Sequence, residues 1–282
     1  MNNNDLMITA ANIRKSIITE VYSAQSGHPG GSLSAADAMT FLYFEQMNIN
    51  PENPGWEGRD RFVLSKGHNS PALYATLAER GYFSKDKLTS FRKLGSILQG
   101  HPCMNETPGV DMSSGSLGQG LSAACGMALN AKLSGESYKV YALMGDGELQ
   151  EGQIWEAAMF AGAKKLDNLI AIVDNNKLQI DGKVEDVLSI YPIDEKFRAF
   201  NFDVYCVDGH DFNQLRAAFR LASNSNGKPS VIILNTVKGK GVSFMENKAG
   251  WHGKAPNEEE YKQAIKELDA SINELMTEDK IA

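Results

Sequence analysis

The sequence predicts an α/β protein: an open, mostly parallel sheet with helices on both faces. Three observations carry that expectation. Apolar runs of strand length recur along the chain, and segments of helical periodicity alternate with them. From the second onward, the strand-like runs are near-continuously apolar, the habit of strands buried on both faces. The 282 residues and 42% hydrophobic content suit one α/β domain over 1–282 with a full core.

In chain order, the amino-terminal part over about 1–60 reads as helical and loop-rich. The strand-like runs are RFVLS (61–65), KVYALM (139–144), LIAIVD (169–174), FDVYCVD (202–208) and SVIILNTV (230–237). Small and apolar residues fall at helical spacing over 119–134 and 151–163. A third helical segment, 211–223, opens at the cap candidate Asp211 and repeats Leu215, Ala218, Phe219 and Ala222. The tail over 258–277 reads as an amphipathic helix with Tyr261, Ile265, Leu268, Ile272 and Leu275 on one stripe, expected to cover the sheet. There is no internal repeat and no low-complexity linker.

Composition narrows the function classes. Cys103, Cys125 and Cys206 are scattered without CxxC spacing, which suggests reduced thiols in a cytoplasmic protein. No basic region followed by an apolar stretch opens the chain, and no run reaches the ~18 apolar residues of a membrane span. A net charge of −7 with dispersed Lys and Arg argues against nucleic acid as the main partner.

Two strand-like runs end abruptly, one at Gly145-Asp146-Gly147 and the next at Asp174-Asn175-Asn176. Parallel neighbours need a crossover, usually a helix, and residues 145–168 supply one. Both ends then reach the same carboxyl edge, where open α/β sheets bind ligands. A carboxylate, a neutral amide and flanking glycines suit Mg²⁺ bound to a diphosphate, because Mg²⁺ takes one or two carboxylates plus phosphate oxygens. Gly145 and Gly147 leave room for phosphate, and Gly147 is expected to precede a helix whose amino end favours anions. A capped turn explains GDG alone equally well; GDG…DNN…IDG on adjacent strand ends is more specific. A second glycine loop, SSGSLGQG (113–120), leads into a helix and fits either a ligand loop or an ordinary one.

Of five histidines, four sit in separate glycine-flanked loops: SGHPGGS (His28), SKGHNS (His68), LQGHP (His101) and GWHGK (His252). The fifth, His210, is in VDGHD. Imidazoles on loops of a rigid sheet can bind hydroxyl or phosphate oxygens and move protons near neutral pH. None has HxxxH or HExxH spacing, which speaks against zinc.

Taken together, these motifs resemble the amino-terminal, diphosphate-binding half of transketolase, from about Ile13 to Pro256. MGDGELQEG…IVDNNKLQIDG resembles the thiamine diphosphate signature, and the histidine and glycine loops follow in family order. The resemblance implies thiamine diphosphate and Mg²⁺ (or Ca²⁺ or Mn²⁺) as cofactors. It implies that Asp146, Asn176 and the Leu178 carbonyl hold the metal, and that Gly147 contacts the diphosphate through its amide. His68 and His252 are expected on the diphosphate side, with Gly115 and Leu117 at the rings. His28, His101 and His252 are expected around the reactive carbon, binding the hydroxyls of a ketose. Glu151 and Glu156 match an acidic network at the family's dimer interface, which places Glu151 among the cofactor-linked residues. Lys66 and Ser116 depart from a common family pattern, Lys66 placing a cation near the phosphates.

The family continues into further domains that nothing after Trp251 could supply. The expectation is therefore a split enzyme: an amino-terminal subunit working with a separate carboxy-terminal transketolase subunit, two copies of each, on sugar phosphates. Three other readings stay open: a ketol transferase for a sulfonated or branched sugar, the α subunit of a thiamine-dependent 2-oxo-acid dehydrogenase, and a non-catalytic descendant. Deoxyxylulose phosphate synthase is related but needs the second domain in the same chain.

Overall fold

The computed structural model describes residues 1–278. In chain order it contains α1 (Asn3–Ala24), α2 (Pro29–Phe41), β1 (Arg61–Leu64), α3 (Ser70–Arg80), α4 (Gln119–Ser134), β2 (Val140–Gly145), α5 (Gly152–Ala163) and β3 (Leu169–Asn175). Then come the short β4 (Leu178–Gln179) and β5 (Gly182–Lys183), α6 (Val184–Leu188), α7 (Ile193–Ala199), β6 (Asp203–Asp208), α8 (Phe212–Ser223), β7 (Ser230–Asn235) and α9 (Glu258–Glu278). Each of the five predicted strand runs forms a strand of one sheet, ordered β1-β2-β3-β7-β6 and parallel throughout. Among the described residues, no helix is long and apolar enough to cross a membrane.

The apolar strand sequences follow from burial on both faces. In β2, Tyr141 and Leu143 join the core beneath α1, α2, α3 and α8, whereas Val140, Ala142 and Met144 join the core beneath α4, α5 and α7. In β3, Ile170 and Ile172 face the first core; Leu169, Ala171 and Val173 face the second. Successive strand side chains point to opposite faces, so both sets must be apolar. Caps set the helix starts. Asn2 accepts from the Asp5 amide at 2.8 Å in a capping box, and Asp211 accepts from the Asn213 amide at 2.8 Å.

Two local expectations change. Residues after Gly147 form a 3-10 turn (Gly147–Gln150), and α5 starts only at Gly152. The cause is Glu148, whose side chain turns inward to accept the Gly145 amide at 3.1 Å instead of leaving that turn α-helical. Ile180 and Asp181 of IDG turn the β4–β5 hairpin, and Gly182 opens β5. Finally, α9 packs on α1, not on the sheet: Tyr261 stacks on Tyr22 at 4.2 Å and Lys15 pairs with Asp269 at 2.5 Å. Ala264 and Leu268 carry most of its burial, while Tyr261, Ile265, Ile272 and Leu275 are half-buried.

Helix α5 lies so close to the chain after α7 that a Cβ on Gly162 would stand 1.9 Å from the Phe200 carbonyl oxygen. Gly162→Ala is therefore expected to cost about 1–3 kcal/mol through overpacking, read as a lower urea midpoint at an unchanged slope.

Candidate active site

The sheet register brings the predicted residues together. Gly145 pairs with Asp174 across β2 and β3, so both chains leave the sheet side by side. Just beyond, Asp146 and Asn176 are buried against each other's loops. The Asp146 carboxylate accepts the Lys177 amide at 2.5 Å and its neighbour Gly147's amide at 2.8 Å. The Asn176 side-chain oxygen accepts the Leu178 amide at 3.1 Å. Asp146, Asn176 and Leu178 line one cavity of about 400 Å³ together with His28, His68, His101, His252, Gly115, Leu117 and Gly147. The side chains of Asp146 and Asn176 thus face one space.

The histidines form the facing wall. Ring centres of His28 and His68 lie 5.0 Å apart, His28 and His252 5.4 Å, and His68 and His252 5.3 Å. His101 stands against Gly115, where a Cβ would lie 3.4 Å from its ring. Burial, Arg92 and the neighbouring groups push His28 down to about 4. Burial and Lys238 push His252 to about 3. Burial holds His68 well below its usual range, and burial with Arg92 lowers His101. All four are neutral at physiological pH. His252 Nδ1 accepts from the Lys238 ammonium at 3.1 Å, so its Nε2 carries the proton and donates.

Two lysines and two carboxylates set the charge. Asp174, fully buried, accepts from Lys66 at 2.5 Å, Ser34 at 2.5 Å, Asn176 at 3.2 Å and Thr236. Burial pushes its carboxyl up, but Lys66 and these donors outweigh that and hold it below the ordinary range. Burial and the Asp174 charge push Asp146 to about 6. Lys238 is as buried as Lys66 yet has no carboxylate partner among the described residues. It donates to the Leu178 carbonyl at 3.2 Å, and burial with Lys66 lowers it to about 8, so it stays charged at neutral pH. A buried, uncompensated ammonium calls for an anion.

Other residues lie outside the cavity. Glu151 and Glu156, expected at an interface between subunits, are exposed on the single chain and do not line the cavity. Besides Asp146, the acidic residue lining the cavity is Glu148, which accepts Ser65 at 2.5 Å and the Gly118 amide at 3.0 Å, joining the β1 tip to the SSGSLGQG loop. His210 stands away from the cavity: its Nδ1 meets Asp37 at 2.6 Å and its Nε2 accepts the Val237 amide at 2.9 Å. Lys66, expected as a cation near the phosphates, lines the cavity but is paired with Asp174, and Lys238 is the lining lysine without a carboxylate partner among the described residues. Its sequence signal was a lysine just past an apolar strand and followed by Gly239, in NTVKGKG.

Polar cavity groups also lack protein partners: His28 Nδ1, both Asn69 side-chain polar atoms and Gln179 Nε2. Fold and cavity together define an α/β domain that takes a phosphorylated ligand at the carboxyl edge of its sheet. Residues 6–276 match the family model described as transketolase, thiamine diphosphate binding domain. The chain belongs to the transketolase family. It is 48% identical over 265 residues to the 6-deoxy-6-sulfo-D-fructose transketolase subunit SqwG of Clostridium sp. (strain MSTE9), covering 94% of this chain and 96% of that protein. It is 44% identical to an apulose-4-phosphate transketolase subunit of Phocaeicola vulgatus, with 94% of each covered. Among solved structures, transketolase from Campylobacter jejuni superimposes with a TM-score of 0.90 at 35% identity, covering 98% of this chain but 46% of that one.

Asp174→Asn is expected to cost about 3–5 kcal/mol, because it leaves the Lys66 cation buried without its counter-ion. Denaturant unfolding measures this, and adding Lys66→Met should recover part of the loss.

Proposed function

We propose that this chain is one diphosphate-binding domain acting as the amino-terminal subunit of a split transketolase, completed by a separate carboxy-terminal subunit, with two copies of each. The carrying observation is the single cavity that sets Asp146, Asn176 and Leu178 opposite four neutral histidines. The near-complete coverage of relatives named as transketolase subunits supports the split build. Those relatives are named for a sulfonated fructose and for apulose 4-phosphate, which favours an uncommon ketose as donor over the common sugar phosphates.

The residues fit the cofactor. Asp146, the Asn176 side-chain oxygen and the Leu178 carbonyl form an all-oxygen set with one carboxylate, suited to Mg²⁺ that completes its shell on phosphate and water. Lys238, His68 and the Gly147 amide would meet the diphosphate. Gly115 and Leu117 would flank the rings. Thiamine diphosphate supplies carbanion chemistry beside a carbonyl, while the protein supplies position and proton traffic. His28, His101 and His252 would bind the ketose hydroxyls, and a neutral imidazole can take a hydroxyl proton and later return it. Neutrality, set by burial and by nearby cations, keeps His28 and His101 able to accept, whereas His252, with Nδ1 taken by Lys238, presents a donor.

Asp146→Ala is expected to weaken Mg²⁺-dependent cofactor binding at least tenfold, about 1.4 kcal/mol or more, by calorimetry on the reconstituted pair. His101→Ala should leave that affinity unchanged and lower kcat/KM for the ketose; equal loss of cofactor binding in both variants would contradict this division of roles. Metal-dependent affinity should fall as pH drops through about 6, because the Asp146 carboxyl must lose its proton to bind the cation. Ketol transfer should require the partner subunit, and full turnover by this chain alone would refute the split build.

A further inference from the structure

Arg92 lies behind the substrate-side histidines and lines no part of the cavity. Its Nη1 donates to Ser26 Oγ at 2.8 Å, two residues before His28. Its guanidinium lies against Gly100, one residue before His101: a Cβ there would stand 3.0 Å from Nε, 3.1 Å from Cζ and 3.2 Å from Nη2. A side chain at position 100 would push the guanidinium outward by a few tenths of an ångström. Its own amide donates to the Leu98 carbonyl at 2.8 Å, closing the loop that leads to His101, with Arg92 at a φ of 60°. Phe91, fully buried, backs the same turn, for a Cβ on Gly27 would meet its ring at 3.1 Å. The Arg92 Nε is buried without a partner, and no carboxylate among the described residues pairs with the guanidinium.

We propose that Arg92 is a positioning residue for the ketose reaction: its guanidinium spans the Ser26–His28 and Gly100–His101 turns and fixes the two imidazoles relative to each other. The role rests on the transketolase reading. The fork geometry explains why arginine stands here, since one planar group reaches a hydroxyl on one turn while lying flat on the backbone of the other. Its charge adds a second effect. An uncompensated cation beside both rings opposes their protonation, alongside burial. The other titratable or charged groups facing His28 are His101, Lys238, His68 and His252; Arg92 is the charged group facing His101.

The test compares wild type, Arg92→Met and Arg92→Lys, each full chain combined with its partner subunit, thiamine diphosphate and Mg²⁺. Arg92→Met is expected to lower kcat/KM for the ketose about 10- to 100-fold while cofactor affinity stays within about twofold. The acid limb of its pH profile should move to higher pH. Arg92→Lys keeps the charge without the fork, so it should restore the acid limb and retain the loss in kcat/KM. Arg92→Gln is a second neutral variant with the same expected outcome as Arg92→Met. An unmoved acid limb in the neutral variants, or loss of cofactor affinity in parallel with activity, overturns the proposal.

Histidine ring titration by NMR on the full chain separates this from the functional reading. In the neutral variants His28 and His101 should titrate higher, and move more than His68 and His252. Equal or absent shifts overturn the Arg92 proposal. The expected shifts with no ketol transfer by the wild-type pair overturn the transketolase reading and leave the clasp standing.

Discussion

The site is laid out around one buried carboxylate. Asp174 ends the central strand β3 and holds Lys66 from the β1 tip, Ser34 from α2, Thr236 from beyond β7 and Asn176 from its own loop. Three segments distant in sequence therefore converge with its own loop on a single side chain. Against well-packed apolar groups a buried ion pair gives little net stability. Its effect here is geometric and electrostatic: it anchors the cavity floor, cancels the Lys66 charge and raises the cost of ionising Asp146. The one lysine left uncompensated in the cavity is Lys238, at the place where a diphosphate is expected.

The opposite wall works by withholding charge. Four imidazoles packed within one cavity, backed by Arg92 and Lys238, cannot ionise together near neutral pH. A dehydrogenase α subunit built on the same signature has no need of such a wall, and the relatives lend that reading no support. A descendant without activity would have no reason to keep this cavity.

Much of this was legible in the sequence because it rests on local pattern. Continuous apolar runs gave the strands to within a residue or two, and the polar stops at Asp146 and Asn176 gave the strand tips. Asp211 and its apolar repeat gave α8. What escaped depends on pairing across the fold. Nothing local to Lys66 shows that Asp174 neutralises it, and nothing local to Lys238 shows that it goes unneutralised. Glu148 sits two residues from Asp146, yet only the folded chain shows its carboxylate turning inward to bind three segments and cutting the turn short. The stripe on α9 told that one face is covered, but its partner, α1, lies more than 200 residues away.

That last pairing bears on how the chain comes to fold. α1 packs on α2 and α3, and α9 covers a further flank through Tyr22 on Tyr261 and Lys15 on Asp269. During synthesis α1 is made more than 200 residues before the helix that covers it. Contacts of such long sequence separation form late because loop closure precedes their reward. Until then the emerging polypeptide carries an uncovered apolar flank, and chaperone engagement during translation would concentrate on α1.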